Sequence, residues 1–138
     1  MDMNKIKIDA VIAADVKKVW EYYTSPMHIV NWNFATDDWK CPWAKNDMVV
    51  GGKYIARMEA KDGSFGFDFE ASYNEIIPNK KFTYTMTDNR EVNVEFNDLE
   101  NKTEVIVLFD AESENSIELQ RDGWQSILNN FKKYTESN

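Results

Sequence analysis

Hydrophobic and polar positions alternate along most of this chain, and the alternation changes period at both ends. From Asn4 to Ala13 the apolar residues Ile6, Ile8, Ala10 and Ile12 face one way and Lys5, Lys7 and Asp9 the other, which predicts a half-buried strand. Asp15 offers an N-cap oxygen, and Val16, Val19, Trp20 and Tyr23 then recur at helical spacing. Ser25 and Pro26 stop this helix and start a second short one, with Ser25 as cap and Pro26 at a position whose missing N–H costs nothing. Residues 33–50 carry no clear period and read as loop with one strand over Asp47–Val50, closed by Gly51-Gly52. Period two returns in Lys53–Ala60, in the row Phe65, Phe67, Phe69, Ala71 and Tyr73, in Phe82, Tyr84 and Met86, and in Val92, Val94 and Phe96. Turn signals at Asp62-Gly63, Pro78-Asn79, Asp88-Asn89 and Glu100-Asn101 separate these runs. Thr103–Asp110 is apolar without interruption from Val105 to Phe109, which predicts burial on both faces.

The last stretch, Asn115–Tyr134, returns to helical period. Ile117, Trp124, Ile127, Leu128, Phe131 and Tyr134 form one stripe, with Arg121 in the same row. A helix of this length spans roughly 30 Å and needs a partner of similar extent. Short turns between successive strands force antiparallel neighbours, so the partner is a meandering sheet. The expected fold is α+β: a curved antiparallel sheet of about six to seven strands wrapped on a long C-terminal helix, with two short helices after the first strand. One domain over residues 1–138 suits the length, which is enough to bury a core without staples.

Composition narrows the partners. A net charge of −8 repels phosphate backbones and anionic headgroups, so neither nucleic acid nor a membrane surface is expected as a partner. The single cysteine, Cys41, excludes an internal disulfide, and no apolar run is long enough to span a bilayer; a soluble cytoplasmic protein is expected. Five Trp, six Tyr and eight Phe are many rings for 138 residues, either filling a core or lining a cavity.

The order of small motifs resembles one family. Val19-Trp20, Thr24-Ser25-Pro26 and Trp32 are followed by Asp47 with Gly51-Gly52, then Asp62-Gly63. Glu75-Ile76-Ile77-Pro78, Phe82-Thr83-Tyr84-Thr85, Lys102-Thr103-Glu104-Val105 and Gly123-Trp124 with Leu128 complete the series. Each is weak alone, but together they run in family order over most of the chain. The sequence resembles the START-like helix-grip superfamily, in the branch related to the C-terminal domain of the activator of the Hsp90 ATPase. It departs from that pattern at Val49 and Val50, where arginine and proline are common, and at Ala71, often glycine; the first departure removes a polar ligand contact from residue 49. The resemblance implies a cavity between sheet and long helix, used across the superfamily for apolar small molecules. It also implies a chaperone as a possible partner. Full-length Hsp90 activators carry a second, N-terminal-side domain, for which this length leaves no room.

Catalytic chemistry finds little support in the residue pattern. His28 is the only histidine and reads as an exposed or helix-end residue, and with one histidine neither a His-rich metal site nor a two-histidine mechanism is expected. Cys41 beside Lys40 could be an activated thiol, although a loop thiol near the cavity mouth is the simpler reading. Asp68 and Glu70 share a strand face opposite the Phe row, which suits an outer surface. Arg57, Glu59 and Arg121 are the ionisable groups that would orient a ligand if they turned inward. Gly51-Gly52 lacks the surroundings of a phosphate loop. No catalytic residue, metal or cofactor is therefore assigned. The leading expectation is an apolar small molecule held beneath the last helix by Trp20, Trp39, Trp43, Arg57, Phe67, Phe69, Tyr84, Met86, Trp124 and Ile127. Trp39 and Trp43 would plug one end of the core or cover its opening. The chain would act as a monomer or homodimer. The alternatives are a co-chaperone-like interaction module with a filled core, and a polyketide-cyclase-like enzyme needing an acid or base inside the cavity.

Overall fold

A computed structural model describes residues 5–138. The strand β1 (Lys5–Ile12) leads into α1 (Val16–Thr24) and the single-turn α2 (Pro26–Ile29). Two very short strands, β2 (Trp39–Lys40) and β3 (Ala44–Asn46), precede the long meander of β4 (Lys53–Ala60), β5 (Gly66–Ile77), β6 (Lys81–Met86), β7 (Glu91–Asp98) and β8 (Thr103–Asp110). The chain then forms α3 (Ile117–Ser137). Asn4, the expected first residue of β1, lies outside the described residues. The sheet has eight strands, all antiparallel, in the order β1-β8-β7-β6-β5-β4-β2, with β3 also paired to β4. The expected two-layer α+β arrangement is thus the observed one, with one strand more than the pattern indicated.

The hairpins follow from local chemistry. Gly63, Asn79, Asn89 and Glu100 all have positive φ, so each expected turn sits where the chain reverses. Asp15 accepts the Lys18 N–H at 2.9 Å and caps α1, whereas Ser25 stands at the N-cap of α2 without a side-chain bond. The expected strand at Asp47–Val50 is a turn instead. Asp47 C=O accepts from Val49, Val49 C=O accepts from Gly52, and Val49 and Val50 are left exposed. A Cβ on Gly52 would lie 2.3 Å from the Asp47 carbonyl oxygen, so this turn requires glycine there. β8 is buried on one face only: Val105, Val107 and Phe109 point to the core, while Ile106 and Leu108 are half-exposed opposite Asp9 and Lys7.

The long helix is tied along its length. Ser116 caps it by accepting the Leu119 N–H, and the buried Gln120 carboxamide bonds Glu112 and Asn115 at the β8–α3 corner. Gln125 and Lys132 donate to the carbonyls of Asp9 and Val11 on β1. Asn130 donates to the carbonyls of Trp32 and Phe34. Phe131 is fully buried between the rings of Tyr23 and Trp32, a burial worth about 1.5–3 kcal/mol. Arg121, placed in the apolar row by spacing, is exposed. These bonds hold α3 over the β1 side of the sheet, so it does not cover the start of the Phe row.

Candidate functional site

That offset leaves space. Between α3 and the concave sheet face lies a cavity of about 200 Å³. Trp124, Ile127 and Leu128 of α3 roof it, and the strands supply Ile8, Tyr54, Met58, Phe67, Phe69, Tyr73, Phe82, Tyr84 and Val107. Tyr23, Trp32, Asn33 and Asn46 close the remaining side. The Trp124 indole stacks on Phe109 at 3.9 Å and 10°, which fixes the roof to β8.

The mouth lies at the Phe67 end. Phe67 lines the cavity and is 41% exposed, and Phe65 is 61% exposed. Trp39 meets both rings edge-on at 6.1 and 6.3 Å, so the three form an aromatic rim on the outer end of β5. Trp43 stands apart, 40% exposed, with the Lys45 ammonium over its ring.

The polar part of the wall is uncharged. No Asp, Glu, Lys, Arg or His lines the cavity among the described residues. Tyr73 donates to Asn46 Oδ1 at 2.6 Å, and Asn46 Nδ2 donates to the Thr24 carbonyl at 2.7 Å. Asn33 Nδ2 donates to the Tyr54 hydroxyl at 3.3 Å. The hydroxyls of Tyr23 and Tyr84 have no hydrogen-bond partner among the described residues, yet neither is a sealed orphan, because each keeps contact with the open space. Burial pushes Tyr23, Tyr54, Tyr73 and Tyr84 well above the ordinary phenol range, so all four remain protonated donors.

Five of the ten residues expected at the ligand site line this cavity: Phe67, Phe69, Tyr84, Trp124 and Ile127. Five do not. Arg57 lies on the outer sheet face, where its guanidinium pairs with Glu59 at 2.8 Å and Asp68 at 3.2 Å and lies over Gly66. Strand parity dictates this, since Tyr54, Ala56 and Met58 occupy the inner positions. Trp20 packs edge-on to Phe82 and Phe96, one helical turn before Tyr23, which takes the cavity position. Met86 ends β6 outside the lining, Trp39 belongs to the aromatic rim, and Trp43 stands apart from both. Tyr23, Trp32, Asn33 and Asn46 were outside the expected set. Tyr23 was legible from the α1 stripe, whereas the two asparagines fall in the segment without period.

The reactive candidates are placed elsewhere. Cys41 is buried, its Sγ 3.5 Å from the Trp43 carbonyl oxygen, and burial pushes the thiol up; Lys40 reaches toward Glu59 instead. His28 is packed rather than exposed: its ring stacks on Tyr22 at 3.8 Å, and Nδ1 lies 2.8 Å from the Tyr134 hydroxyl. No helix among the described residues is long and apolar enough to cross a membrane.

The sequence profile of the family described as Activator of Hsp90 ATPase homolog 1-like protein matches residues 13–136. The chain belongs to that family. An AHSA1-like protein from Aeromonas hydrophila is 40% identical, with a TM-score of 0.91 over 97% of this chain and 93% of that one. Chr148 from Cytophaga hutchinsonii is 42% identical, with a TM-score of 0.84 over the same shares. CV1439 from Chromobacterium violaceum shares the fold at 20% identity, with a TM-score of 0.85 over 98% of this chain and 99% of that one. Comparison with functionally curated proteins gave no match. Proteins of this family and fold serve as ligand binders or co-chaperones, and the offset between α3 and the Phe row gives this member an unfilled interior.

Proposed function

We propose that this chain binds an apolar small molecule in the cavity beneath Trp124. The observation that supports this reading is the cavity itself: a core with this many large rings nevertheless keeps about 200 Å³ open, with an aromatic rim where it meets the surface. Protein interiors ordinarily close such space, because an unfilled void forfeits contact energy on every wall. The volume exceeds the roughly 150 Å³ of a dry cavity that accepts benzene, which sets the ligand at one ring or a fused pair. A co-chaperone module expects a filled core, so the open interior favours the ligand reading. A cyclase-like reaction needs an acid and a base at the substrate, and here only phenols and carboxamides line the cavity.

A protein-observed NMR titration with 2-ethylnaphthalene tests the proposal. The resonances of Tyr84, Trp124 and Ile127 should shift together, and the melting temperature should rise with probe concentration. If those resonances stay fixed and no ring-sized apolar compound changes the melting temperature, the cavity is not a binding site.

A further inference from the structure

The cavity wall carries more chemical information than its size. We infer that its ligand is an uncharged ring compound bearing a carbonyl oxygen, held by the hydroxyls of Tyr23 and Tyr84; this rests on the ligand-binding reading above and specifies the ligand class.

Tyr84 is only 7% exposed, and its hydroxyl has no protein partner among the described residues, whereas Tyr73 is paired with Asn46 and Tyr54 accepts from Asn33. The Tyr23 hydroxyl also has no partner among the described residues; this side chain is only partly buried, with its ring packed against Trp32 and Phe131. A hydroxyl that lines an apolar cavity without a protein partner keeps its proton free for whatever occupies the space, and two beside one cavity favour an occupant that accepts from both. Asn46 is engaged through both amide atoms and Asn33 through its Nδ2, so neither serves Tyr23 or Tyr84, whose two O–H donors call for an acceptor. A carbonyl oxygen has two lone pairs and no proton of its own to place, which matches that demand.

Charge is excluded from both sides. A carboxylate would enter a space with no cation in its walls, in a chain whose net charge is −8. An ammonium would find no carboxylate, since none lines the cavity, and Glu59, Asp68 and Glu70 on the neighbouring strands are engaged on the outer face with Arg57 and Lys53. Desolvating either ion without a partner outweighs anything two phenols return.

Four probes of nearly equal size separate the possibilities: 2-acetylnaphthalene, 2-ethylnaphthalene, 1-(2-naphthyl)ethanol and 2-naphthoate. The ketone should bind about 5- to 25-fold tighter than the hydrocarbon, the net worth of one to two hydrogen bonds, and at least about tenfold tighter than the carboxylate. In the double variant Tyr23→Phe/Tyr84→Phe the ketone should lose its advantage over the hydrocarbon, and the hydrocarbon should bind at least as tightly as it does to the wild type, because it no longer desolvates two hydroxyls. That second readout separates loss of the hydroxyls from damage to the cavity. If the hydrocarbon binds as well as the ketone to the wild type, the hydroxyls are satisfied by trapped water and the carbonyl assignment fails, with the binding reading intact. Tightest binding of the alcohol or the carboxylate also overturns it. If none of the four binds, the ligand-binding reading itself falls.

Discussion

Replacing Ile127 by tryptophan tests whether the space beneath α3 is real. Ile127 lines the cavity from the helix side, and the larger side chain adds about 60 Å³, against the roughly 200 Å³ available. Filling void space returns about 24 cal/mol per Å³, so Ile127→Trp stabilises the ligand-free protein by at most about 1.5 kcal/mol. With an unfolding entropy of about 2 cal/mol/K for each of 138 residues, this raises the melting temperature by at most about 5 °C. A close-packed core at the same place would instead lose about 1–3 kcal/mol to overpacking. The second readout has the opposite sign. For the wild type, a probe at ten times its Kd adds about 1.4 kcal/mol, again about 5 °C, and in the variant this gain should vanish. Differential scanning calorimetry with and without 2-ethylnaphthalene reads both. A ligand-free melting temperature lowered by more than about 5 °C would refute the cavity, and an unchanged probe shift would place binding elsewhere.

Other positions give independent checks. A Cβ on Gly123 meets nothing within 4 Å, so Gly123→Ala should stabilise by about 1 kcal/mol in urea denaturation without altering probe binding. Gly52→Ala forces a Cβ to 2.3 Å from a carbonyl oxygen and should cost about 2–4 kcal/mol in the same assay. Asp110 is buried, which alone would raise its pKa, but the Lys5 ammonium at 2.6 Å and the Glu91 N–H at 2.9 Å outweigh this and hold it below the usual aspartate range. Its stabilisation is therefore complete above about pH 4 and fades as pH falls through the lower folded value. Asp110→Asn should lose about 1–2 kcal/mol at pH 7, and the urea midpoints of variant and wild type should converge in acid. Cys41, buried with its pKa raised, should react with an aromatic disulfide reagent only slowly until denaturant is added, as followed by thiolate release.

The parts of the fold that were legible in the sequence are those whose side chains alternate for long enough to show a period. β4 to β8 each run six residues or more between turns of recognisable chemistry, and Trp124 to Phe131 mark the buried stripe of α3. β2 and β3 were not legible, because two and three residues contain no period and exist as strands only through pairing with β4. Eleven of the sixteen residues that line the cavity were outside the expected set, some of them for related reasons. Asn33 and Asn46 look like solvent-facing loop residues until the chain folds them against Tyr54 and Tyr73. Arg57 was legible by parity, since its neighbours Ala56 and Met58 already occupied the inner face, and an inward arginine would have broken the alternation. The exposure of Phe65 and Phe67 was not legible, because alternation reports which face a ring is on but not how far the covering helix extends.

Finally, the sheet order sets the time at which the cavity appears. Every strand pair from β4 to β8 closes through a short turn, but β1 meets β8 with Lys5 opposite Asp110, 105 residues away in sequence. Joining such distant segments carries a larger loop-closure entropy than any hairpin of the meander and belongs to the slow end of domain folding. Ile8 and Val107 face each other across that pair and both line the cavity, while α3 is tied to β1 by Gln125 and Lys132. Floor and roof are therefore completed together in a late event, after the hairpins have formed. A ligand that needs both should slow the protein's unfolding while leaving its folding rate unchanged. Occupancy would then act as a kinetic lock, setting how long each molecule stays folded once assembled.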